Sequence, residues 1–235
     1  MTLAPGVSIF DLDGTAVLRT PDGEFLAVNA EVGPDLGGLA PAVAEAFSRA
    51  GFLAPDSECA PAAVAVAGDG LIAQSLAGLV DRTPLSLVPS IEEADVVSWA
   101  CDGLPPQREW AALDAEVGRI AWQRCSVEGA TAVIEPIAVA PGDVTHEHVR
   151  LRRLAASDSP GHLAAYWATT PLHAAPAVTP VTAAFVASLL AADLLAWAHG
   201  HPRTRTLRLA DLRTQRVADH PILPVPPHDP RREVR

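Results

Sequence analysis

The sequence predicts a two-part α/β protein: a small β-meander with one helix, then a larger domain in which strands and helices alternate. Three observations predict it. Short apolar runs in the first thirty residues are separated by Asp-Leu-Asp-Gly (11–14) and Pro-Asp-Gly (21–23), the turn chemistry of hairpins. From residue 62 onward, apolar runs alternate with helix-patterned segments, the grammar of a mostly parallel sheet. The 235-residue chain is 49% hydrophobic and 19% charged, enough to bury a core and far from a disordered composition.

In chain order, Val-Ser-Ile-Phe (7–10), residues 15–20 and residues 24–29 read as three strands. Pro41 stands at a first helical position and opens a helix with Ala44, Phe47 and Ala50 on one face, closed by Gly51. Residues 1–57 therefore form the first domain. Ala-Val-Ala-Val-Ala (63–67) is a buried-strand run, Gly-Asp-Gly (68–70) a tight turn, and residues 71–80 a helix. Residues 85–88 and 94–100 continue the sheet. A helix follows with Trp110, Leu113, Val117 and Ile120 on one face, and residues 131–139 read as a strand pair or a bent strand. A connector (141–178) leads to an apolar helix (182–198), which Asp193 interrupts and which is short for a membrane span. A strand-like stretch (207–217) closes a second domain of 58–217. The tail, 218–235, holds five prolines and is expected to be irregular.

Charge narrows the chemistry. All 17 basic residues are arginine, so no lysine is present to form a Schiff base, anchor a phosphate or act as a general base. The net charge of −11 divides as −7 over residues 1–58, −8 over 59–200 and +4 over 201–235. An acidic surface excludes non-specific binding to nucleic acid. Three scattered cysteines make neither a disulfide framework nor a CxxC metal site, and Met1–Phe10 lacks the pattern of a signal peptide. The expectation is a cytoplasmic protein without membrane or nucleic-acid partners.

Three motifs compete for a function. Phe-Asp-Leu-Asp-Gly-Thr (10–15) looks like the first motif of haloacid-dehalogenase-like phosphatases, with Asp11 as nucleophile and Asp13 as general acid. That chemistry needs a cation on the phosphoryl oxygens, almost always lysine, and the turn-rich context reads as a hairpin, so a phosphatase is disfavoured. Gly-Asp-Gly-Leu-Ile-Ala (68–73) resembles a dinucleotide turn. The next strand ends in no acid for a ribose, however, and Asp69 sets a negative charge where phosphate belongs. His-Glu-His (146–148), His-Gly-His (199–201), His220 and His228 invite a metal, but the pairs sit in polar or turn-like stretches where solvated histidine is common. No metal and no cofactor are expected.

The order of these pieces resembles the ThiF/MoeB-type, ubiquitin-activating-like fold over about three quarters of the chain. The strand and turn at 63–70 are similar to its glycine-rich opening. Residues 94–103 are similar to its central strand, ending in Asp102. Residues 135–142, the arginines of 150–155, the helix at 182–198 and His-Pro-Ile-Leu-Pro-Val-Pro (220–226) are similar to the closing stretches of the ocin-ThiF-like subgroup, found in ribosomal-peptide (azole and thiopeptide) pathways. The resemblance places the family's zinc cysteines at or near His146, Val149, Leu223 and Pro226, where no cysteine stands. Adenylating members use a lysine and an Asn-x-x-Arg-Gln stretch that this chain lacks. The nucleotide turn at Gly68, Gly70 and Asp102 is accordingly read as degenerate, with no catalytic residues.

The resemblance implies a non-catalytic subunit that binds a precursor's leader peptide and delivers it to a YcaO-type cyclodehydratase, with a homodimer possible. Residues 1–57 look like a shortened winged-helix-like recognition module. A peptide would add as a strand to Glu24, Phe25, Leu26, Ala27, Val28 and Asn29, with Ala44, Phe47 and Phe52 as pocket walls. The alternatives are a structural or dimerisation subunit without leader binding, and an ATP-dependent adenylating enzyme.

Overall fold

The structure, a computed structural model, describes residues 1–28, 36, 39–54, 62–169 and 177–225. The chain divides into two compact units, Met1–Glu58 and Cys59–Arg235.

In the first unit, Asp13 and Gly14 turn with φ of +52° and +81°, the two-residue loop whose twist matches a hairpin. They join β1 (Ser8–Leu12) to β2 (Thr15–Arg19), and the Pro-Asp-Gly turn leads on to β3 (Phe25–Val28). All pairings are antiparallel in the order β1-β2-β3, with Asp11 opposite Ala16 and Val17 opposite Ala27. One face packs Ile9, Ala16, Leu18 and Val28 against Phe47 of α1 (Pro41–Arg49), with Phe52 and Leu53 closing the cluster.

The second unit is built on a seven-stranded mixed sheet. Its strands are β4 (Ala63–Ala67), β5 (Ser86–Val88), β6 (Val96–Ala100), β7 (Ala121–Glu128), β8 (Thr131–Ile134), β9 (Thr206–Asp211) and β10 (Arg216–Pro221). The spatial order is β10-β9-β8-β7-β6-β4-β5, parallel from β5 to β7 and antiparallel from β7 to β10. On one face lie α2 (Leu71–Val80) and α6 (Pro180–Ala198), burying Ile72, Leu76, Val186 and Leu190 against Val64, Val96 and Cys125. Trp110 of α3 (Gln107–Asp114) packs on the opposite face with Trp122 and Val97. There α4 (His146–Ala156) adds Val149 to Val133, Leu207 and Ile222, and α5 (Pro160–Ala168) follows it. By length and composition α6 could cross a membrane. Here it is a core helix, its Asp193 paired with the buried Arg208 of β9.

Several expectations are corrected. The sheet is mixed rather than mostly parallel, because the three strands after β7 all pair antiparallel. Residues 141–178 carry two helices, α4 capped by reciprocal hydrogen bonds between Thr145 and His148. The tail expected from 218 begins inside β10. Pro221 is tolerated as the last residue of an edge strand, where a missing N–H breaks no ladder bond inside the sheet. The largest omission is β7, which sits mid-sheet although its sequence contains Gln123, Arg124 and Ser126. All three are buried.

Candidate functional site

The first candidate is the edge of the three-stranded sheet. Among the described residues, β3 has a neighbour only on its β2 side. Glu24 lies just before it, its N–H held by the Thr20 hydroxyl at 3.0 Å. Phe25 is 63% and Leu26 41% exposed, Ala27 is exposed, and Val28 is buried. Asn29 lies outside the described residues. The helix-side residues are placed differently. Phe47 is a core residue packed edge-to-face on Phe52 at 5.9 Å, with Ala44 half-buried beside them.

Register adds two residues that the sequence reading passed over. Phe10 and Leu12 share the outer sheet face with Val17, Phe25 and Ala27. Phe10 is 40% exposed and Leu12 57%, and Phe10 meets Phe25 edge-to-face at 6.1 Å. Their period-two spacing was the available signal, masked by Asp11 between them. Asp11 spends a carboxylate oxygen on the Gly14 N–H at 3.1 Å, and Asp13 is the turn residue itself. Both belong to an antiparallel hairpin, not to the end of a parallel strand that a phosphatase site needs.

The second candidate is the turn between β4 and α2. Gly68 has φ +109°, and a Cβ there would lie 2.0 Å from the Ala100 carbonyl oxygen at the end of β6. At Gly70 a Cβ would lie 2.4 Å from the Asp102 carboxylate carbon. The two glycines thus bring the turn down onto the loop after β6. There Asp102 accepts hydrogen bonds from the N–H groups of Leu71 at 2.7 Å and Ile72 at 3.1 Å. Those are the first donors of α2, the donors that hold a phosphate in a nucleotide-binding fold. The three residues singled out in sequence, Gly68, Gly70 and Asp102, are therefore brought together, with the acid where an anion would sit. With no lysine in the chain and a carboxylate on these donors, the residues present do not fit a nucleotide phosphate here.

The third is a buried polar cluster on the α3/α4 face of β7. The Arg124 guanidinium contacts Asp114 and lies 3.5 Å from Glu135. Burial pushes it down to about 10 while Glu135 opposes the shift, so it stays charged at neutral pH. The His146 ring bridges Glu135 at 2.6 Å and Gln107 at 2.9 Å, and its backbone N–H donates to Asp114 at 3.0 Å. Next to it Glu128 grips Arg153 with two hydrogen bonds of 2.6 and 2.7 Å and accepts one from Trp167 at 2.9 Å. The cavity among these groups measures about 10 Å³, room for a water at most. The cluster ties α3, α4 and α5 to the sheet.

His146 is thus a buried structural residue rather than a solvated one, and His148 caps its own helix. At the positions that resemble zinc ligands, Val149 packs with Ile222, and Leu223 is 55% exposed. Pro226 lies outside the described residues, as does His228. One imidazole engaged to a carboxylate and no thiolate is not a zinc donor set.

Comparison with known proteins gives no matching family profile and no matching curated sequence. Solved structures do match. The heterocyclase TruD superposes with a TM-score of 0.69 at 15% identity, over 96% of this chain and 42% of that one. The fold is theirs. A chain of the E. coli microcin synthetase McbBCD complex matches at TM-score 0.56 and 12% identity, covering 97% of this chain and 98% of its own. E. coli MccB matches at 0.59 and 11%, over 96% and 95%. The chain thus spans about two fifths of the TruD chain and nearly the whole of the microcin-synthetase and MccB chains.

Proposed function

We propose that the chain is a non-catalytic, cytoplasmic subunit of ribosomal-peptide modification that binds a precursor's leader peptide and presents it to a YcaO-type cyclodehydratase. The observation that carries this reading is the edge of β3, which pairs with no strand among the described residues, with Phe25, Leu26 and Ala27 exposed along it. A peptide strand added there gains main-chain hydrogen bonds, and its alternate side chains meet Phe25 on the outer face and Leu26 on the inner. Asp102 on the α2 donors and the absence of lysine support a role without adenylyl transfer. The fold likeness agrees in kind. One matching structure is a heterocyclase in complex with substrate and cofactor, and another is McbBCD with pro-MccB17 bound.

Titration of a labelled leader peptide into the protein, alone and with its cyclodehydratase, tests the reading. Saturable binding is expected, weakened about tenfold or more by Phe25→Asp, since a buried apolar anchor contributes about 1.5–3 kcal/mol. Absence of binding at tens of micromolar in both settings overturns it. Pyrophosphate release from ATP and peptide would instead favour the adenylating enzyme. The exposed Phe10, Leu12 and Phe25 face favours one second reading, a structural subunit that docks an enzyme through this sheet without leader binding. Co-purification with the enzyme and no response to leader would select it.

A further inference from the structure

Adjoining the buried polar cluster, with which it shares Arg153, the second unit carries a groove of about 490 Å³ between α4, α5 and the β9–β10 hairpin. That volume lies within the range of about 300–1,000 Å³ typical of ligand sites. Its apolar surface comes from Ala156 of α4, Leu163 of α5, Leu207 and Leu209 of β9, and Ile222 and Leu223. β10 forms one wall, and all six of its residues are exposed. A strand open on both faces and along one edge, beside an apolar groove, is a surface built to be covered.

The charge around the groove says by what. Arg152, Arg153 and His220 line it, and no acid among the described residues does. Arg153 is neutralised by Glu128. Arg152 is not: it donates to the carbonyls of Leu223 and Pro224, both at 3.2 Å, and meets no carboxylate among the described residues. Asp219 neighbours His220 in β10 but projects to the other face, 3.5 Å from Arg203. The rim therefore presents uncompensated positive charge over an apolar floor. The chain's own residues 226–235 are an opposed occupant, with three arginines against two acids. Pro221 lacks the N–H that strand addition would use at that end of β10, so recognition falls to side chains entering the groove.

We propose that this groove is a second peptide-docking site, which takes a short segment of a partner protein bearing large apolar side chains beside Asp or Glu. The apolar side chains fill the floor, and the acid pairs with Arg152. The site is separate from β3, so it stands or falls independently of leader binding.

Selection of a displayed library of random dodecapeptides on the intact protein tests this. The Arg152→Glu/Leu223→Asp double variant serves for counter-selection. Both residues are exposed, and unchanged thermal unfolding of the variants confirms that the fold is kept. The expected result is enrichment of peptides with an acid within a few positions of Leu, Ile, Phe or Trp. Synthesised peptides are expected to bind at least tenfold more weakly to Arg152→Glu and to Leu223→Asp individually, with leader binding unaltered. No enrichment over counter-selection, or enriched peptides without an acid, overturns the proposal. So does binding that appears only after residues 226–235 are deleted, which would make the chain's own tail the occupant.

Discussion

Asp102 is the residue on which the reading of the larger unit turns. Its carboxylate occupies the first N–H donors of α2, where helix-end partial charge and free donors favour an anion. Asp102→Ala leaves those donors without a side-chain partner. The expected loss is about 1–2 kcal/mol, that of an N-terminal cap, read as a lower urea midpoint with unchanged slope. An unchanged midpoint would mean that the contact contributes nothing. Cys101, one residue earlier, reports the same surroundings. Burial, with Asp69 and Asp102 nearby, pushes its thiol up to about 11. The thiolate is the nucleophile, so iodoacetamide at pH 8 is expected to modify Cys101 about a hundredfold more slowly than free cysteine. The rate should climb as pH rises toward 11, followed residue by residue with peptide mass mapping. Rapid labelling at pH 8 would contradict the buried environment.

At the scale of elements, the strand–turn–helix of β4 and α2 depends on Gly68. Its φ of +109° and the Ala100 carbonyl leave no place for a side chain. Gly68→Ala is expected to cost about 3 kcal/mol or more, the upper part of the range for point mutants, measured by urea unfolding followed through tryptophan fluorescence. Parity explains β7. Ala121, Gln123, Cys125 and Val127 face α2 and α6, while Trp122, Arg124 and Ser126 face α3 and α4. Gln123 and Arg124 find partners on other segments: Gln123 receives the Ser98 hydroxyl at 2.6 Å and donates to the Leu190 carbonyl at 3.3 Å. Arg124 meets Asp114 and Glu135. Hydrophobic patterning does not find such a strand, because its polar groups are satisfied by segments distant in sequence.

For the molecule as a whole, charge is unevenly distributed. Residues 1–58 carry −7, and Asp11, Asp13, Asp22 and Glu24 are exposed in the strands and turns of the small sheet. A leader docking on β3 is therefore expected to be neutral or basic near its contact. Its affinity should fall several-fold between low and high salt, since the Debye length shrinks from about 30 Å at 0.01 M to about 3 Å at 1 M. Affinity that rises with salt would assign binding to apolar contact alone.

The sequence by itself determined the hairpins of the first unit, because Asp-Gly and Pro-Asp-Gly specify turns locally. It determined the β4–turn–α2 unit and the apolar α6 through periodicity, and lysine chemistry was excluded by composition. Gly68, Gly70 and Asp102 were legible as a group. Their meaning was not, since only the packed sheet carries a carboxylate from the end of β6 onto a helix thirty residues earlier. The same holds for Phe47 packed in the core of the small unit, for Phe10 and Leu12 beside Phe25, and for His146 buried against Glu135. Local patterns encode turns and periods. Which polar group satisfies which, and which apolar side chains stay uncovered, is decided by long-range pairing that no local window of sequence contains.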